Sequence, residues 1–250
     1  MILKWIFDRL ASLCGLLIIW PLIIVVAIMV KVKMPGGPAF FCQKRVGKDG
    51  KLFTCHKFRT MIPVKNNLGS DGKKGDKEWS SVSVAGDSRI TPFGAKLRHW
   101  KIDELPELWD VLIGNMSFVG PRPDVPGYAD QLQGDDRVVL KLRPGITGPA
   151  TLKYRREDEM IAAFVESCKE SVYLGFRSEY PDVVISRAVY NELKALPDQN
   201  LAVWYNDNVI YPDKVRLNKY YYEHYSFLKD LEMIFATVLG RKVKFGGEEI

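Results

Sequence analysis

From Leu10 to Val30 the chain carries no charged residue. As a helix this run is about 31 Å long, close to the hydrocarbon thickness of a bilayer. A cleaved signal peptide fits poorly, because its apolar region is shorter and ends in small residues. Length by itself favours a helix that spans the membrane. Two features argue for a segment that enters and returns on one side. Pro21 sits mid-run, where it removes a backbone hydrogen bond and kinks a helix. Positive residues also flank both ends: Lys4 and Arg9 before the run, Lys31, Lys33, Lys44 and Arg45 after it. Positive flanks stay cytoplasmic, so two of them suit a hairpin with both ends inside.

The rest of the 250 residues is long enough for a real core. The net charge of +6 suits partners that carry phosphate, without choosing among nucleotides, nucleic acid and lipid headgroups. Cys14, Cys42, Cys55 and Cys168 form no CxxC pair, and His56, His99 and His224 form no HExxH or HxH pattern. These look like reduced cytoplasmic thiols, and a zinc hydrolase is not expected.

Beyond the apolar run, Pro35-Gly36-Gly37-Pro38 breaks the helix. Residues 39–42 and 51–55 read as short strands around a turn at Val46–Gly50, and residues 64–86 as a surface loop. Thr91-Pro92 is a helix start, with Thr91 as N-cap. A helix is predicted from Asp103, burying Leu105, Leu108, Trp109 and Leu112 on one face, with Pro106 in its first turn. Residues 156–168 suggest an amphipathic helix. A later helix is capped by Ser226 and ended by Gly240, with Phe227, Leu228, Leu231, Ile234, Phe235, Val238 and Leu239 as its stripe. It packs on the core or lies in the headgroup plane, with Arg241, Lys242 and Lys244 on lipid phosphates.

The residues able to do chemistry centre on Asp103-Glu104. Two acids at a helix start are by themselves only favourable charges against the dipole. Basic residues recur in the surrounding segments: Lys57, Arg59, Arg98, Arg122 and Arg143. Carboxylates among cations suit phosphoryl transfer, where a carboxylate binds Mg²⁺ or attacks phosphorus. No P-loop, Rossmann fingerprint or GxSxG elbow is present.

Several motifs in fixed order then resemble the bacterial sugar transferase family, the monotopic phosphoglycosyl transferases. They are Phe41–Gly47 (FCQKRVG), Lys57–Met61 (KFRTM), Arg89–Gly94 (RITPFG), Leu97-Arg98 and Ile102–Leu112 (IDELPELWDVL). Gly114–Pro123 (GNMSFVGPRP), Arg143–Gly148 (RPGITG) and Tyr222–Leu231 (YEHYSFLKDL) follow. The resemblance covers roughly residues 4–155 and 210–240. It departs at Trp20, where relatives often have Ser before the proline, and at Pro149–Arg155. Residues 165–208 match no part of it.

The resemblance implies a mixed, helix-rich α/β fold. Residues 1–34 form a re-entrant membrane helix hairpin. Residues 35–240 form a small cytoplasmic catalytic domain with interfacial amphipathic helices, 165–208 being a family-specific insertion, and 241–250 a tail. It implies transfer of a sugar 1-phosphate from a UDP-sugar to a polyprenol phosphate, such as undecaprenyl phosphate, with release of UMP. Asp103 matches the nucleophile and Glu104 its partner near Mg²⁺ or Mn²⁺. Lys57, Arg59, Arg98, Arg122 and Arg143 match basic positions around the phosphates. The implied setting is the cytoplasmic face of a bacterial inner membrane, at the first membrane step of a glycoconjugate pathway such as capsule or lipopolysaccharide. Membrane phospholipid is an expected partner and nucleic acid is not; homo-oligomers and downstream glycosyltransferases stay open. The rival is a catalytically inactive membrane scaffold of the same fold, against which the intact Asp103-Glu104 pair speaks.

Overall fold

A computed structural model describes residues 2–62, 89–170 and 187–250. The loop expected over 64–86, and residues 171–186 of the expected insertion, lie outside the described residues. The architecture is mixed and helix-rich, with three small two-stranded sheets.

Helix α1, Ile2–Lys33, is long and apolar enough to cross a membrane, and its helical assignment is unbroken through Pro21. One stripe of it docks on the domain along the whole length. Near the N-terminus, Asp8 Oδ2 accepts from Ser117 Oγ at 2.8 Å, and Lys4 Nζ donates to Asp230 Oδ2 at 2.7 Å. Near the C-terminus, Val26, Val30 and Met34 are buried with Phe58 and Leu97. The outward side leaves Leu17, Ile18, Trp20, Val25 and Ile28 exposed.

Strands β1 (Phe40–Val46) and β2 (Leu52–Phe58) pair antiparallel around a 3-10 turn at Lys48–Gly50. Both run longer than their apolar composition suggests, because the ladder continues through Gln43, Lys44 and Arg45 on one strand and His56 and Lys57 on the other. Helix α2, Pro92–His99, starts as expected: the Thr91 hydroxyl accepts from Gly94 N–H at 2.9 Å.

The next segment departs from its sequence pattern. Ile102–Glu104 is a 3-10 turn, and helix α3 begins only at Glu107, running to Ile113. The face α3 buries against the domain carries Glu107, Asp110 and Val111, while Trp109 is exposed. Leu105, Leu108 and Leu112 are only half-buried. The reason is that α3 packs between β2 and α1: its acids meet the polar residues of β2, and its apolar side turns to α1, where Leu108 lies against Gly15.

The parallel pair β3 (Ser117–Val119) and β4 (Gly145–Thr147) joins two of the motif segments. Three glycines make the join. A Cβ on Gly120 would lie 2.2 Å from the Arg143 carbonyl, one on Gly145 2.2 Å from Gly120 N, and one on Gly148 2.3 Å from the Gly120 carbonyl. Only glycine allows this backbone approach.

The largest core is built by the C-terminal half. Helices α4 (Pro149–Lys153), α5 (Glu157–Glu170), α6 (Arg187–Leu193), α7 (Asp198–Tyr205), α8 (Tyr211–Glu223) and α9 (Phe227–Leu239) supply most of it. Phe164, Tyr205, Leu217 and Met233 are fully buried there. The described part of the expected insertion thus sits at the centre of the core. Residues 241–250 are not a free tail: β5 (Lys244–Phe245) and β6 (Glu248–Glu249) form a hairpin that buries Val243, Phe245 and Ile250. Burial of these three apolar side chains makes that return favourable. Helix α9 divides its faces, burying Asp230, Met233 and Ala236 while exposing Leu228, Phe235, Val238 and Leu239.

The glycine junction predicts that Gly145→Ala lowers stability by about 3 kcal/mol or prevents folding, since backbone must move to admit the methyl. Gly15→Ala, whose methyl would meet Leu108 at 3.5 Å, should stay near wild type. Thermal melts of the two variants check this.

Candidate active site

Asp103 and Glu104 are held by the 3-10 turn that follows Lys101, a residue in the left-handed region at φ 55°. Both carboxylates are buried, at 7% and 9% exposure. Glu104 Oε1 accepts from Lys57 Nζ at 2.8 Å and from Arg122 Nη2 at 2.9 Å. Lys57 is shared, because Glu107 Oε1 lies 3.0 Å from the same ammonium. The Cys55 thiol donates to Glu107 Oε1 at 3.5 Å. Further along α3, Asp110 accepts from both the backbone N–H of His56, at 2.9 Å, and its ring Nδ1, at 2.8 Å. Three buried acids at three-residue spacing, Glu104, Glu107 and Asp110, therefore face consecutive groups of β2.

The two central acids are electrostatically unlike. Burial raises the Asp103 carboxyl above its ordinary range, and the neighbouring Glu104 charge adds to the rise; Lys57, Lys101 and Arg98 only partly oppose it. Burial also acts upward on Glu104, but Arg122 and Lys57 overcome it and hold that carboxyl well below the usual range. Burial acts downward on Lys57, and its two glutamates turn the net shift upward. Asp103 Oδ1 is buried with no hydrogen-bond partner among the described residues. One acid is thus neutralised by cations, and the other keeps an unsolvated, unpartnered oxygen.

Of the five basic residues read from the sequence, three gather at this pair. Lys57 and Arg122 bond Glu104, and Arg98, in the last turn of α2, is near enough for its charge to act on Asp103. Two do not join them. Arg143 Nε donates to the Gly114 carbonyl at 3.1 Å, at the C-terminal end of α3. Arg59 donates through Nη2 to the carbonyls of Met34 and Gly37, where the chain leaves α1. The sequence reading missed Glu107, Asp110 and His56. The signal available was the repeat of acids every three residues from Glu104, which a search for apolar periodicity passes over.

The carboxylates fit a hard cation only in part. Among the described residues no group of three or more His, Cys, Asp or Glu side chains is placed to hold a metal. Mg²⁺ commonly takes one or two protein carboxylates and completes its shell with water and substrate phosphates. The Asp103-Glu104 pair matches that smaller requirement.

The site thus joins a buried acid pair to cations, on a small domain docked to a helix long and apolar enough to cross a membrane. The chain belongs to the bacterial sugar transferase family, whose model matches residues 1–185. It is 40% identical over 151 residues to undecaprenyl-phosphate galactose phosphotransferase of Salmonella typhimurium, covering 58% of this chain and 31% of that protein. It is 33% identical over 144 residues to UDP-N-acetylgalactosamine-undecaprenyl-phosphate N-acetylgalactosaminephosphotransferase of Aeromonas hydrophila, covering 56% and 31%. With the exopolysaccharide production protein PSS of Rhizobium leguminosarum bv. phaseoli it shares 34% identity over 202 residues, covering 77% and 96%. The chain therefore spans about a third of the first two relatives and nearly all of the third.

The unequal pair predicts opposite titrations. Carbon-13 NMR should give Asp103 a midpoint above the ordinary aspartate value of about 3.9 and Glu104 one below about 4.3. Removing the neighbouring charge with Glu104→Gln should move Asp103 downward. The stability signs differ accordingly. Glu104 stabilises the fold above its unfolded value, and that contribution is lost as pH falls through its depressed folded value. Ionised Asp103 costs stability above its raised folded value.

Proposed function

We propose that the protein is a phosphoglycosyl transferase that moves a sugar 1-phosphate from a UDP-sugar to a polyprenol phosphate, such as undecaprenyl phosphate. The observation that carries this reading is the buried, unpartnered Oδ1 of Asp103 beside a glutamate held by two cations. The relatives' names support the substrate pair.

In the first step Asp103 Oδ1 forms a bond to the β-phosphorus of the donor. The bond from that phosphorus to the bridging oxygen breaks, and UMP leaves with its electron pair. Burial leaves the attacking oxygen without a hydration shell to shed. Lys57, Arg98 and Arg122 offset the repulsion between carboxylate and diphosphate, which is the main barrier to such an attack. The product is an aspartyl-phosphosugar. In the second step the lipid phosphate displaces the Asp103 carboxylate. Two half-reactions let one site serve a soluble donor and a membrane acceptor in turn. Glu104, with Asp103 and the donor phosphates, would hold Mg²⁺ or Mn²⁺, which supplies charge neutralisation at the diphosphate.

The same reading sets the membrane topology: α1 enters and leaves on the cytoplasmic side of the inner membrane. A spanning α1 would carry Lys4 and Asp8 to the far face, some 30 Å from the domain. Their bonds to Asp230 and Ser117, together with the packing of Val26 and Val30 at the other end, support one side for both ends. Phe7 meets Phe227 of α9 with ring centroids 5.4 Å apart, so α1 and α9 adjoin. Their exposed apolar residues, with Trp109 and Ile113 of α3, make a surface suited to headgroup depth.

Asp103→Asn should abolish turnover in a folded protein. Intact-mass spectrometry after UDP-sugar addition should show a phosphosugar adduct on the wild type and none on the variant; wild-type turnover by the variant would sink the mechanism. A panel of UDP-sugars assayed by UMP release identifies the donor.

Excess EDTA should remove activity and added Mg²⁺ restore it, with full activity in EDTA counting against the metal.

For topology, single cysteines at Lys4 and Lys33, in a Cys-free background, should both be protected from an impermeant thiol reagent in sealed cells. Labelling at position 4 alone means a spanning helix.

A further inference from the structure

Arg59 is 5% exposed, yet among the described residues no carboxylate pairs with it. Its Nη2 is tied to the carbonyls of Met34 and Gly37, and its Nε and Nη1 are buried with no hydrogen-bond partner among the described residues. A buried guanidinium that leaves two donors unused is costly, and structures rarely tolerate it without a compensating anion.

Its surroundings say where such an anion comes from. Met34 and Gly37 lie just past the C-terminal end of α1, beside the exposed Lys31 and Lys33 of its last turn, where the transferase reading puts lipid headgroups. The same Met34 is touched from the other side by the start of α2, since the Thr91 hydroxyl that caps α2 lies 2.7 Å from its sulfur. Met34 is thus held at its carbonyl by Arg59 and at its sulfur by the residue that caps α2. The ladder of β2 also runs one residue past its end, with Arg59 N–H donating to Ala39 O at 2.9 Å. Arg59 therefore continues the strand face that carries Lys57, about 7 Å further along.

We propose that Arg59 is the seat of the acceptor's phosphate monoester, separate from the Lys57, Arg98 and Arg122 group that holds the donor diphosphate. This rests on the transferase reading above. From this seat one oxygen of the lipid phosphate bonds to the phosphorus of the aspartyl-phosphosugar. The phosphorus–oxygen bond to Asp103 breaks, its electron pair returns to the carboxylate, and no proton has to move. The donors left free, Nε and Nη1, hold the attacking phosphate by charge-assisted hydrogen bonds.

The full chain in phosphatidylcholine vesicles, as wild type, Arg59→Gln and Arg59→Lys, tests the assignment. Without acceptor, adduct formation and UMP release should stay within about twofold of wild type in both variants, because the donor group is intact. The KM for polyprenol phosphate should rise at least about tenfold in Arg59→Gln and less in Arg59→Lys. Phosphorus NMR of polyprenol phosphate in the same vesicles should show a shift with wild type and none with Arg59→Gln. That measurement needs no turnover, so it separates failure of the seat from failure of the transferase reading. Parallel loss of adduct formation would assign Arg59 to the donor and overturn the proposal. An unchanged KM, with weaker binding to acceptor-free phosphatidylglycerol vesicles, would assign it to a phospholipid headgroup and also overturn it. Unfolding of both variants would make Arg59 purely structural, with the same consequence.

Discussion

One ammonium group holds the site together. Lys57 Nζ lies 2.8 Å from Glu104 and 3.0 Å from Glu107, and Arg122 takes the other approach to Glu104 at 2.9 Å. Taking such charges out of water costs several kcal/mol per ion, on the order that close pairing repays only when the geometry is good. The elements around the cluster are arranged to supply that geometry. Strand β2 delivers Lys57, the turn before α3 delivers Glu104, α3 delivers Glu107, and the glycine-locked β3–β4 junction leads into Arg122. Asp103 is left without such a pairing, and burial raises its carboxyl instead. Its free oxygen is a by-product of a cluster in which the neighbouring acid takes the cations.

The long apolar helix α1 is part of the same construction. Asp8 of α1 receives Ser117 Oγ at 2.8 Å and Phe118 N–H at 3.3 Å, so it is bonded to β3, the strand that runs into Gly120 and Arg122. Asp230 ties a second polar contact, accepting from Lys4 and from Tyr221 Oη at 2.5 Å. Polar bonds on one stripe and exposed apolar side chains on the other orient α1 about its axis. A free apolar helix in lipid has no such preference. The apolar helix and the site are therefore positioned by one set of contacts.

Much of the site was legible in the chain because its motifs are contiguous. Asp103, Glu104, Lys57, Arg98 and Arg122 could be named from local strings, and the structure brings all five together. Arg59 and Arg143 were legible as basic motif positions, but their directions were not: each points to backbone carbonyls, a choice made by the packing of distant segments. Glu107 and Asp110 were overlooked because Leu105, Leu108, Trp109 and Leu112 supply the apolar periodicity expected of a core-facing helix. In a membrane-associated protein that pattern is ambiguous, since lipid and an anchor helix accept an apolar face as readily as a core does.

The sequence by itself determined the long apolar helix, the breaks, the caps and which acids and cations are available. These depend on local rules: length against bilayer thickness, Thr91 before Pro92, two acids among cations. Only the tertiary structure decided which face of α3 is inside, that residues 187–223 complete the main core, and that the last ten residues fold back upon it. It also decided that the two adjacent carboxylates differ, one held low by Lys57 and Arg122 and the other raised by burial. Asp103 and Glu104 are nearly the same group in the chain. Which becomes the ion pair and which keeps an open oxygen is settled by cations arriving from residues 57 and 122, and no local pattern encodes their meeting.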